Sequence, residues 1–322
     1  MKVSVVMAAY NGSEYVTEQL NSIDNQSMNP DEIIVVDDAS TDNTAELVRQ
    51  FLDSTDIDGR LIIHEKNKGY RDTFFDALKY ADGDIIFLCD QDDIWHSDKI
   101  KRMLDVMDKN KSVKALNTSY KLIDGDGEYI YEGIRNKRRN KDKRAFYGIS
   151  LEEVLRYNAA MGCTMAFTRD IKDKLLAHID EVMTYNIPHD WIINIAAAMD
   201  DGLFMLNEEL ISYRLHGDNT IGLNRADTIE KRIKDYESVA EQKKDMLKLL
   251  RTLDRKCFER EYEFMKLMVK SYYIRCELLN RKKAGAYINN YRRYKLKKVM
   301  DKKSMLYDLY LIEKNKIKKK QV

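Results

Sequence analysis

The first 224 residues of the chain alternate between short β-branched runs and segments with apolar residues at helical spacing. One run and one helical segment together take up roughly 28 residues, which is close to the size of a βαβ crossover unit. Right-handed crossovers of this kind build a mostly parallel sheet covered by helices, so the sequence predicts an α/β fold. The predicted strands are Lys2–Met7, Glu32–Val36, Leu61–His64, Asp84–Cys89 and Lys114–Leu122, and the predicted helices are Glu14–Ile23, Thr44–Leu52, Thr73–Tyr80 and Lys99–Met107.

The character of the sequence changes after Asn224. From residue 225 to residue 320 there is one glycine, Gly285, and no proline, and apolar residues recur every three or four positions. This spacing predicts helices at about 226–252, 254–281 and 284–316. Residues 225–322 carry 29 Lys and Arg against 14 Asp and Glu, whereas residues 1–224 carry 26 against 40. We therefore expect an acidic α/β domain at 1–224 and a basic helical region at 225–322.

Several classes of protein are excluded by what the sequence contains. The longest nearly uninterrupted apolar stretch, Trp191–Met199, includes Asn194 and falls short of the roughly 20 residues that span a bilayer. The N-terminus lacks the apolar region of a secretory signal, so we expect a cytoplasmic protein. The cysteines lie in apolar contexts without paired spacing, which predicts buried, reduced thiols. They are Cys89, Cys163, Cys257 and Cys276.

Carboxylates follow two of the predicted strands at the point where each strand ends. Asp37 and Asp38 follow the second strand, and the segment Asp90–Asp93 (DQDD) follows the fourth. Ligands of open α/β sheets bind at this carboxyl edge, and clustered carboxylates repel each other unless a cation or hydrogen-bond donors lie between them. Mg²⁺ or Mn²⁺ bound to a diphosphate fits such a cluster. The plainer alternatives are a helix cap at Ser40–Asp42 and a solvated turn at Asp90–Asp93.

Two common nucleotide-binding motifs are absent. No G-x-G-x-x-G follows a strand, and there is no G-x-x-x-x-G-K-[ST]. The sequence therefore argues against a dinucleotide-dependent dehydrogenase and against a P-loop NTPase.

Four segments in order along the chain carry a resemblance to a known family. They are Val3–Gly12 (VSVVMAAYNG), Ile34–Thr44 (IVVDDASTDNT), the Asn67-x-Gly69 turn and Phe87–Trp95 (FLCDQDDIW). Together they resemble the family 2 glycosyltransferases, whose fold is GT-A, a Rossmann-like nucleotide-sugar domain. The resemblance covers residues 1–224 and implies inverting transfer of a sugar from a nucleoside-diphosphate donor to an acceptor hydroxyl.

Later motifs resemble one subgroup of that family. The form Asp90–Trp95 (DQDDIW), with His189–Trp191 (HDW) and Tyr213–Gly217 (YRLHG), is most similar to rhamnosyltransferase-like enzymes of bacterial surface polysaccharide synthesis. This implies a dTDP-rhamnose donor, with UDP-hexoses left open, and a lipid-linked glycan acceptor.

The family resemblance also implies roles for individual residues. Asp190 matches the catalytic base, and Asp92 and His216 match positions that hold Mg²⁺ or Mn²⁺ against the diphosphate. A helix start after Pro188 and a loop histidine remain the plain alternatives for Asp190 and His216. The residues implied in donor binding are Ala8, Ala9, Tyr10, Asp38, Lys68, Arg71 and Asp90.

The basic C-terminal segment supports two further interpretations. Residues 281–322 carry 15 Lys and Arg against 3 Asp and Glu. A basic amphipathic helix is typical of binding to an anionic membrane surface, here the inner face of the plasma membrane. Packing on the catalytic domain or on a second subunit of a homo-oligomer is equally open. The apolar residues concerned are Tyr287, Tyr291, Tyr294, Leu296, Val299, Met300, Leu306, Tyr307 and Tyr310.

Two features of the sequence are also compatible with functions other than sugar transfer. Tyrosines among the arginines and lysines of the basic segment are typical of nucleic-acid binding, and the acidic clusters are compatible with a two-metal phosphodiesterase. The first does not account for the acidic domain and the second needs more converging carboxylates, so no nucleic-acid partner is expected. A processive synthase is disfavoured because the chain lacks a Gln-x-x-Arg-Trp motif.

Overall fold

The computed structural model describes residues 1–130, 145–158, 161–217, 227–254, 258–281, 288–289, 299 and 302–320, the last with side chains to residue 315. These residues form two compact units. The sheet unit comprises Met1–Ile179 and Pro188–Asn219, and the helical unit comprises Asp180–Ile187 and Thr220–Val322. The domain boundary predicted between residues 224 and 225 lies outside the described residues, so it stays a prediction.

A nine-stranded mixed sheet forms the centre of the sheet unit. Eight of its strands lie in the order β3-β2-β1-β4-β8-β6-β9-β5, and β7 pairs with β9 at the side of this path. The pairs β1–β2, β1–β4, β2–β3 and β6–β9 are parallel and include most of the paired residues. The strands are β1 Val3–Ala9, β2 Glu32–Asp37, β3 Asp58–Ile63, β4 Ile85–Asp90, β5 Ile94–Trp95, β6 Ala115–Ile123, β7 Phe146–Gly148, β8 Met165–Thr168 and β9 Leu203–Arg214.

Two of the described helices begin with a side chain that accepts from a free backbone amide, Ser150 before α5 and Thr228 before α9, and the longer helices have one apolar face. Ser150 and Glu153 form a reciprocal capping box at the start of α5. In α4 the buried residues Ile100, Met103 and Met107 recur at helical spacing. The helices are α1 Val16–Asp24, α2 Thr44–Ser54, α3 Tyr70–Leu78, α4 Lys99–Lys109, α5 Leu151–Arg156, α6 Arg169–Leu176, α7 Ile179–Val182, α8 His189–Ala198, α9 Ile229–Leu253, α10 Glu259–Arg281 and α11 Lys302–Lys320.

The predicted α/β fold is confirmed. All five predicted strands and all four predicted helices of the first half are present, with ends shifted by up to three residues. Strand β2 is buried along its whole length, as expected for a parallel strand covered by helices on both faces. Cys89, Cys163 and Cys276 are buried and free, while Cys257 lies outside the described residues.

The strand order creates a topological switch point at β1. This strand pairs in parallel with β2 on one side and with β4 on the other, so the connections that leave them diverge to opposite sides. Such a point opens a crevice at the carboxyl ends of the strands, where ligands of α/β sheets bind. The loops after β1, β2 and β4 therefore meet at one edge of the sheet.

The helical unit is held together by a small apolar core and one buried carboxylate. Leu279 of α10 and Ile312 of α11 are fully buried in this core. Asp308 of α11 is also fully buried, and it accepts hydrogen bonds from Arg232 and Arg275 at 2.8–3.1 Å. The predicted continuous helix at 284–316 is wrong in one respect, because Val299 lies in a turn and α11 begins at Lys302.

No helix among the described residues is both long enough and sufficiently apolar to cross a membrane.

Candidate active site

A side chain joins the ends of β1 and β4 at the carboxyl edge of the sheet. The backbone N–H of Tyr10 donates to Gln91 Oε1 at 2.8 Å, and Gln91 Nε2 donates to the carbonyl of Tyr10 at 2.9 Å. A Cβ at Gly12 would lie 2.2 Å from Gln91 Oε1, so a larger residue there would displace this amide. Of the predicted nucleobase residues, Ala9 is buried in β1, Ala8 is partly exposed and Tyr10 is exposed.

Asp38 lies at the end of β2 and is buried among hydrogen-bond donors of the chain itself. Its carboxylate accepts from the backbone N–H groups of Lys68 and Gly69 at 2.8 and 2.7 Å, and it contacts His64 Nδ1 at 2.8 Å. Burial alone raises the pKa of Asp38, but these hydrogen bonds outweigh burial and leave the pKa below its ordinary value. Asp38 thus fixes the turn that precedes α3, and its predicted contact with a nucleobase stays a prediction.

The residue after Asp38 adopts an unusual backbone conformation. Ala39 has φ of 62°, in the left-handed region that residues with a Cβ adopt only at a cost of energy. Asn11 in the loop after β1 has φ of 47°, and its side chain accepts from the N–H of Thr41 at 2.8 Å. Two neighbouring loops of the carboxyl edge are therefore held in strained geometry, which is common around binding sites.

The two predicted cations of the donor site lie near the start of α3. Lys68 Nζ pairs with Asp76 at 2.7 Å, and Arg71 Nε pairs with Asp72 at 3.0 Å. The Lys68 side chain is 40% exposed, so this ion pair is a weak constraint on a flexible ammonium group. Both cations belong to the segment that Asp38 anchors.

The acidic segment after β4 places its three aspartates in different surroundings. Burial raises the pKa of Asp90 to about 7, with further contributions from the charges of Asp92 and Asp190. Asp92 Oδ2 lies 2.8 Å from His216 Nε2, and both side chains are partly accessible. Asp93 is fully buried, and its Oδ1 accepts from the backbone N–H of Arg214 at 3.1 Å.

Two groups of residues offer ligand atoms for a cation. Asp92 Oδ2 and His216 Nε2 lie 2.8 Å apart, and the charge of Asp92 raises the pKa of the neighbouring Asp90. Asp90, Asp93 and Cys163 offer ligand atoms within 4.8 Å of one another. Burial raises the pKa of the Cys163 thiol, and a protonated thiol is a poor ligand for Mg²⁺ or Mn²⁺. The residues Asp92 and His216 therefore fit such an ion better.

Arg214 was not assigned a role by the sequence, yet it organises this segment. Its Nε donates to the carbonyl of Asp92 at 2.8 Å, its Nη1 donates to the carbonyl of Gly125 at 2.8 Å, and its Nη2 pairs with Glu18. The guanidinium also lies over the ring of Tyr15, which contacts the ring of His216 at 5.0 Å. A charged residue at the end of an apolar strand, two positions before a histidine, was the signal for this role.

Lys99 is a second buried cation below the acidic segment. Its Nζ donates to the carbonyl of Cys163 at 2.6 Å and lies 3.9 Å from the centre of the Trp95 ring. Burial lowers the pKa of Lys99 to about 8. The ammonium group lowers the pKa of Asp90, so it partly offsets the negative charge of the cluster.

Asp190 lies in the first turn of α8, directly after the buried His189. Its Oδ1 accepts from the backbone N–H of Trp191 at 2.7 Å, and its Oδ2 accepts from Asn158 Nδ2 at 2.8 Å. Burial raises the pKa of Asp190 to about 6, although these hydrogen bonds lower it. A carboxyl group with this pKa is largely ionised at neutral pH and is a stronger base than an ordinary aspartate.

The aromatic neighbours of Asp190 bring α8 close to α3. His189 stacks on Phe74 with ring centres 4.1 Å apart and meets Tyr70 edge to face at 5.7 Å. Neither ring nitrogen of His189 has a hydrogen-bond partner among the described residues, and burial lowers its pKa to about 3. Trp191 donates its indole N–H to the carbonyl of Val154 at 2.6 Å, which anchors the start of α8 on α5.

The structure thus brings together the carboxylates of Asp90, Asp92 and Asp190, with His216 beside Asp92. Asp38 lies with Lys68 at the neighbouring strand end. An ionisable base and a carboxylate–histidine pair at one sheet edge can accept a proton and hold a cation with a phosphorylated ligand.

Comparison with known proteins places these features in a family. Residues 4–169 match the family model described as glycosyl transferase family 2. A β-1,3-glucosyltransferase of Escherichia coli, WfgD, which is named as acting with UDP-Glc on α-D-GlcNAc-diphosphoundecaprenol, is 33% identical over 124 residues, 38% of this chain and 47% of that protein. The matches span between 30% and 70% of the length of the curated relatives, and about half to two thirds for most of them.

Two solved structures share the fold. Residues 1–349 of TarS from S. aureus, in complex with UDP, superpose with a TM-score of 0.59 at 16% identity, over 99% of this chain and 92% of that one. The mannosyltransferase PcManGT from Pyrobaculum calidifontis, in complex with GDP-Man and Mn²⁺, gives 0.52 at 16% identity, over 97% and 86%. Because the family model covers more than half of its length, the chain belongs to glycosyl transferase family 2.

Proposed function

We propose that the protein transfers a sugar from a nucleoside-diphosphate donor to an acceptor hydroxyl, with inversion at the anomeric carbon. The observation that carries this proposal is the convergence of three carboxylates at the switch point of the sheet. Asp190 supplies a base of raised pKa, and Asp90 and Asp92 lie near it at the end of β4. One residue can thus act on the acceptor while the others act on the donor. The catalytic domain in this proposal is residues 1–224.

The donor is proposed to lie along the loops after β1, β2 and β4. In this arrangement Ala8, Ala9 and Tyr10 border the nucleobase, and Asp38 acts on it directly or through the turn that it holds. Lys68 and Arg71 approach the base and phosphates from the start of α3, and Asp90 approaches the ribose. The UDP complex of TarS, which shares this fold, supports a nucleotide as part of the donor. The motifs resembling the rhamnosyltransferase-like subgroup favour dTDP-rhamnose, with UDP-hexoses as the other candidates.

Mg²⁺ or Mn²⁺ is the proposed cofactor, and Asp92 and His216 are its proposed ligands. The Mn²⁺ bound with GDP-Man in PcManGT supports a metal in this fold. When bound, the ion would supply positive charge that stabilises the leaving diphosphate. Arg214 holds the backbone at Asp92 and contacts Tyr15 next to His216, so it keeps both proposed ligands in place.

Catalysis in this proposal is a single displacement. Asp190 accepts the proton of the acceptor hydroxyl, and the acceptor oxygen forms a bond to the anomeric carbon. The bond from that carbon to the diphosphate oxygen breaks, and the electron pair leaves with the diphosphate. Since one step inverts the carbon, no covalent intermediate with the protein is required.

The acceptor is proposed to be a lipid-linked glycan of bacterial surface polysaccharide synthesis at the cytoplasmic face of the membrane. The name of WfgD, which refers to a diphosphoundecaprenol acceptor, supports this class. The basic segment 281–322 is then a candidate contact with anionic lipid. In its described part, Leu306 is 59% exposed and Tyr310 is 54% exposed.

Thermal unfolding and sugar transfer together test the proposal. UDP, dTDP and GDP are each added with and without Mn²⁺, and one of them is expected to raise the melting temperature only when Mn²⁺ is present. A ligand at one hundred times its Kd adds about 2.7 kcal/mol to stability. Asp92→Ala should lose the part of this stabilisation that depends on Mn²⁺.

Asp190→Asn should keep the ligand-induced rise in melting temperature and lose transfer by about 10²-fold or more, because only the proton acceptor is removed. Asp173→Asn, a change at an exposed carboxylate of α6, serves as the matched control and should retain both. Full transfer in EDTA, or near-normal turnover by Asp190→Asn, would contradict the proposal.

A further inference from the structure

Three asparagines from three elements form a chain of hydrogen bonds that ends on Asp190. Asn117 lies in β6, Asn194 in α8, and Asn158 two residues after α5. Asn117 Nδ2 donates to Asn194 Oδ1 at 3.0 Å, and Asn194 Nδ2 donates to Asn158 Oδ1 at 3.2 Å. Asn158 Nδ2 then donates to Asp190 Oδ2 at 2.8 Å. We call Asn117, Asn194 and Asn158 the asparagine chain.

The carboxylate fixes the direction of the whole asparagine chain. An ionised Asp190 only accepts hydrogen bonds, so Asn158 must turn its NH₂ group towards it. The Asn158 oxygen is then left to accept from Asn194, and the Asn194 oxygen is left to accept from Asn117. All three amides therefore point their donors towards the same negative charge, an arrangement in which each hydrogen bond polarises the next.

This direction of the hydrogen bonds reduces the stability of the folded state at Asn117, the end of the asparagine chain farthest from Asp190. Asn117 and Asn194 are fully buried, and Asn117 Oδ1 has no hydrogen-bond partner among the described residues. A buried acceptor without a partner destabilises the folded state, and such groups in native proteins are often linked to function. Apolar residues at these positions of β6 and α8 would avoid that cost.

The asparagine chain is one of several groups around Asp190, some of which raise its pKa and some of which lower it. From α3, Tyr70 and the cation Arg71 lie close to α8, and Asp90 approaches from the end of β4. His189 is its neutral neighbour, and the backbone N–H of Gly162 adds a hydrogen bond that lowers its pKa. Asn158 is the side chain that donates directly to its carboxylate.

We propose that Asn158, held by Asn194 and Asn117, is a positioning residue that orients the carboxylate of Asp190 and keeps it ionised for proton transfer. This inference rests on the proposed function of Asp190 as the base. It assigns the polar residues of β6 and α8 to catalysis rather than to packing.

Variants of Asn158 with nearly the same shape separate a role in catalysis from a role in packing. Asn158→Leu removes the donor, and Asn158→Asp replaces it with a second negative charge of nearly the same shape. Both should raise the pH at which transfer begins, by about one unit for Leu and further for Asp, because each disfavours the ionised base. The value of kcat should fall about 10-fold or more, while KM for the donor changes little. If Asn158 had a purely structural role, the pH at which transfer begins would not increase in the order wild type, Asn158→Leu, Asn158→Asp.

Two further variants test the links and the specificity. Asn194→Leu leaves Asn158 without its supporting donor and should shift the pH profile in the same direction by less. Asn110→Leu is the matched control, since Asn110 donates only to the carbonyl of Val106 at the end of α4. It should leave the pH profile unchanged. Thermal unfolding shows whether each variant folds. Asn158→Ser, a smaller polar replacement, takes the place of Asn158→Leu if the leucine variant does not fold.

The outcomes distinguish this inference from the proposed function. If Asp190→Asn is inactive but every folded Asn158 variant keeps the wild-type pH profile and kcat, the positioning role is wrong. If Asp190→Asn remains active, the assignment of the base itself fails.

Discussion

At the scale of single residues, Asp190 combines its proposed role as the base with a cost in stability. Its pKa rises from an ordinary 3.8 to about 6 when the protein folds, because burial disfavours the charged form. Between these two values the folded state binds more protons than the unfolded state, so stability decreases as pH rises through this window. Above pH 6 the full penalty is present. It is at most on the order of 3 kcal/mol, since each pKa unit corresponds to about 1.4 kcal/mol.

This penalty gives a prediction for Asp190→Asn beyond the loss of transfer. The variant should be more stable than wild type by about 1–2 kcal/mol at pH 8, and the difference should shrink below pH 5, where Asp190 is protonated in the folded protein. Urea unfolding at both pH values measures the effect. Asp173→Asn should show no such pH dependence. Equal stability of Asp190→Asn and wild type at pH 8 would mean that the charge is better solvated than its burial implies.

Motifs indicate the charged candidates for the site and give no signal for the uncharged ones. Asp92, Asp190 and His216 are candidates because acids and histidines stand out at strand and helix ends, and their roles stay predictions. Asn158 and Asn194 carry no charge and follow no periodic pattern, and their partners lie more than 30 positions away along the chain. Their role depends on three elements meeting, which a single sequence does not reveal.

At the scale of elements, the end of β9 is held by a guanidinium group rather than by apolar packing. Arg214 is 1% exposed and connects β9 to the backbone at Asp92 and Gly125. Arg214→Met should destabilise the protein by about 3–5 kcal/mol, because it leaves buried acceptors without a partner. It should also weaken the Mn²⁺-dependent part of nucleotide stabilisation, since Asp92 and His216 lose their support.

Arg214→Lys and Arg102→Met make the test of this role specific. Lysine keeps the positive charge but lacks the planar guanidinium group, so Arg214→Lys should reduce stability less than Arg214→Met does. Arg102 forms a surface pair with Glu208 and should contribute about 1 kcal/mol or less. Urea unfolding and thermal shifts with Mn²⁺ measure both effects. If Arg214→Lys has the stability and the Mn²⁺-dependent thermal shift of wild type, the positive charge alone is sufficient to hold the end of β9.

The sequence predicted long elements better than short ones. Strands β1 to β4 carry their own apolar pattern, and so do helices α1 to α4. Strand β5 has two residues, β7 has three and β8 has four, and each becomes a strand only through partners far away in the chain. Strand β9 is longer but half-exposed, so its alternation is weak. The bend at Val299 inside the predicted third C-terminal helix left no proline or glycine signal.

At the scale of the whole molecule, the described part of the basic segment has one buried face and one exposed face. Leu311 and Ile312 of α11 lie in the core of the helical unit, whereas packing on the catalytic domain or on a second subunit stays a prediction. A stripe at four-residue spacing, formed by Lys302, Leu306 and Tyr310 and ending at Lys314, includes two exposed apolar side chains of α11, Leu306 and Tyr310. Lys314 Nζ lies 5.8 Å from the centre of the Tyr310 ring. A surface of this composition fits an anionic membrane.

Point variants test membrane binding better than truncation does. Removing residues 281–322 would take away Asp308 and leave Arg232 and Arg275 without their carboxylate, so we expect the helical unit to unfold. The double variant of Leu306→Glu with Tyr310→Glu should stay folded and lose co-sedimentation with anionic vesicles at low salt. Wild-type binding should weaken as salt screens the lysines.

Tyr129→Glu, a change at an exposed tyrosine of the sheet unit, is the control and should bind vesicles like wild type. Unchanged sedimentation of the double variant would contradict membrane binding through α11. A dimer that the double variant disrupts, seen by analytical ultracentrifugation, would instead assign this stripe to a second subunit.

The amide of Gln91 imitates a peptide group. It gives and receives one hydrogen bond with the backbone of Tyr10, in the way that a residue of a neighbouring strand would, just beyond the last paired residues of β1 and β4. The ladder is thereby lengthened by a side chain, and the two loops behave mechanically as one piece. Since Asp92 is the next residue along, a displacement at Tyr10 is transmitted over a single covalent link to the acidic segment. Binding of a ligand beside Tyr10 would then shift the acidic segment at Asp92, and binding at Asp92 would shift Tyr10, without any rearrangement of the strands.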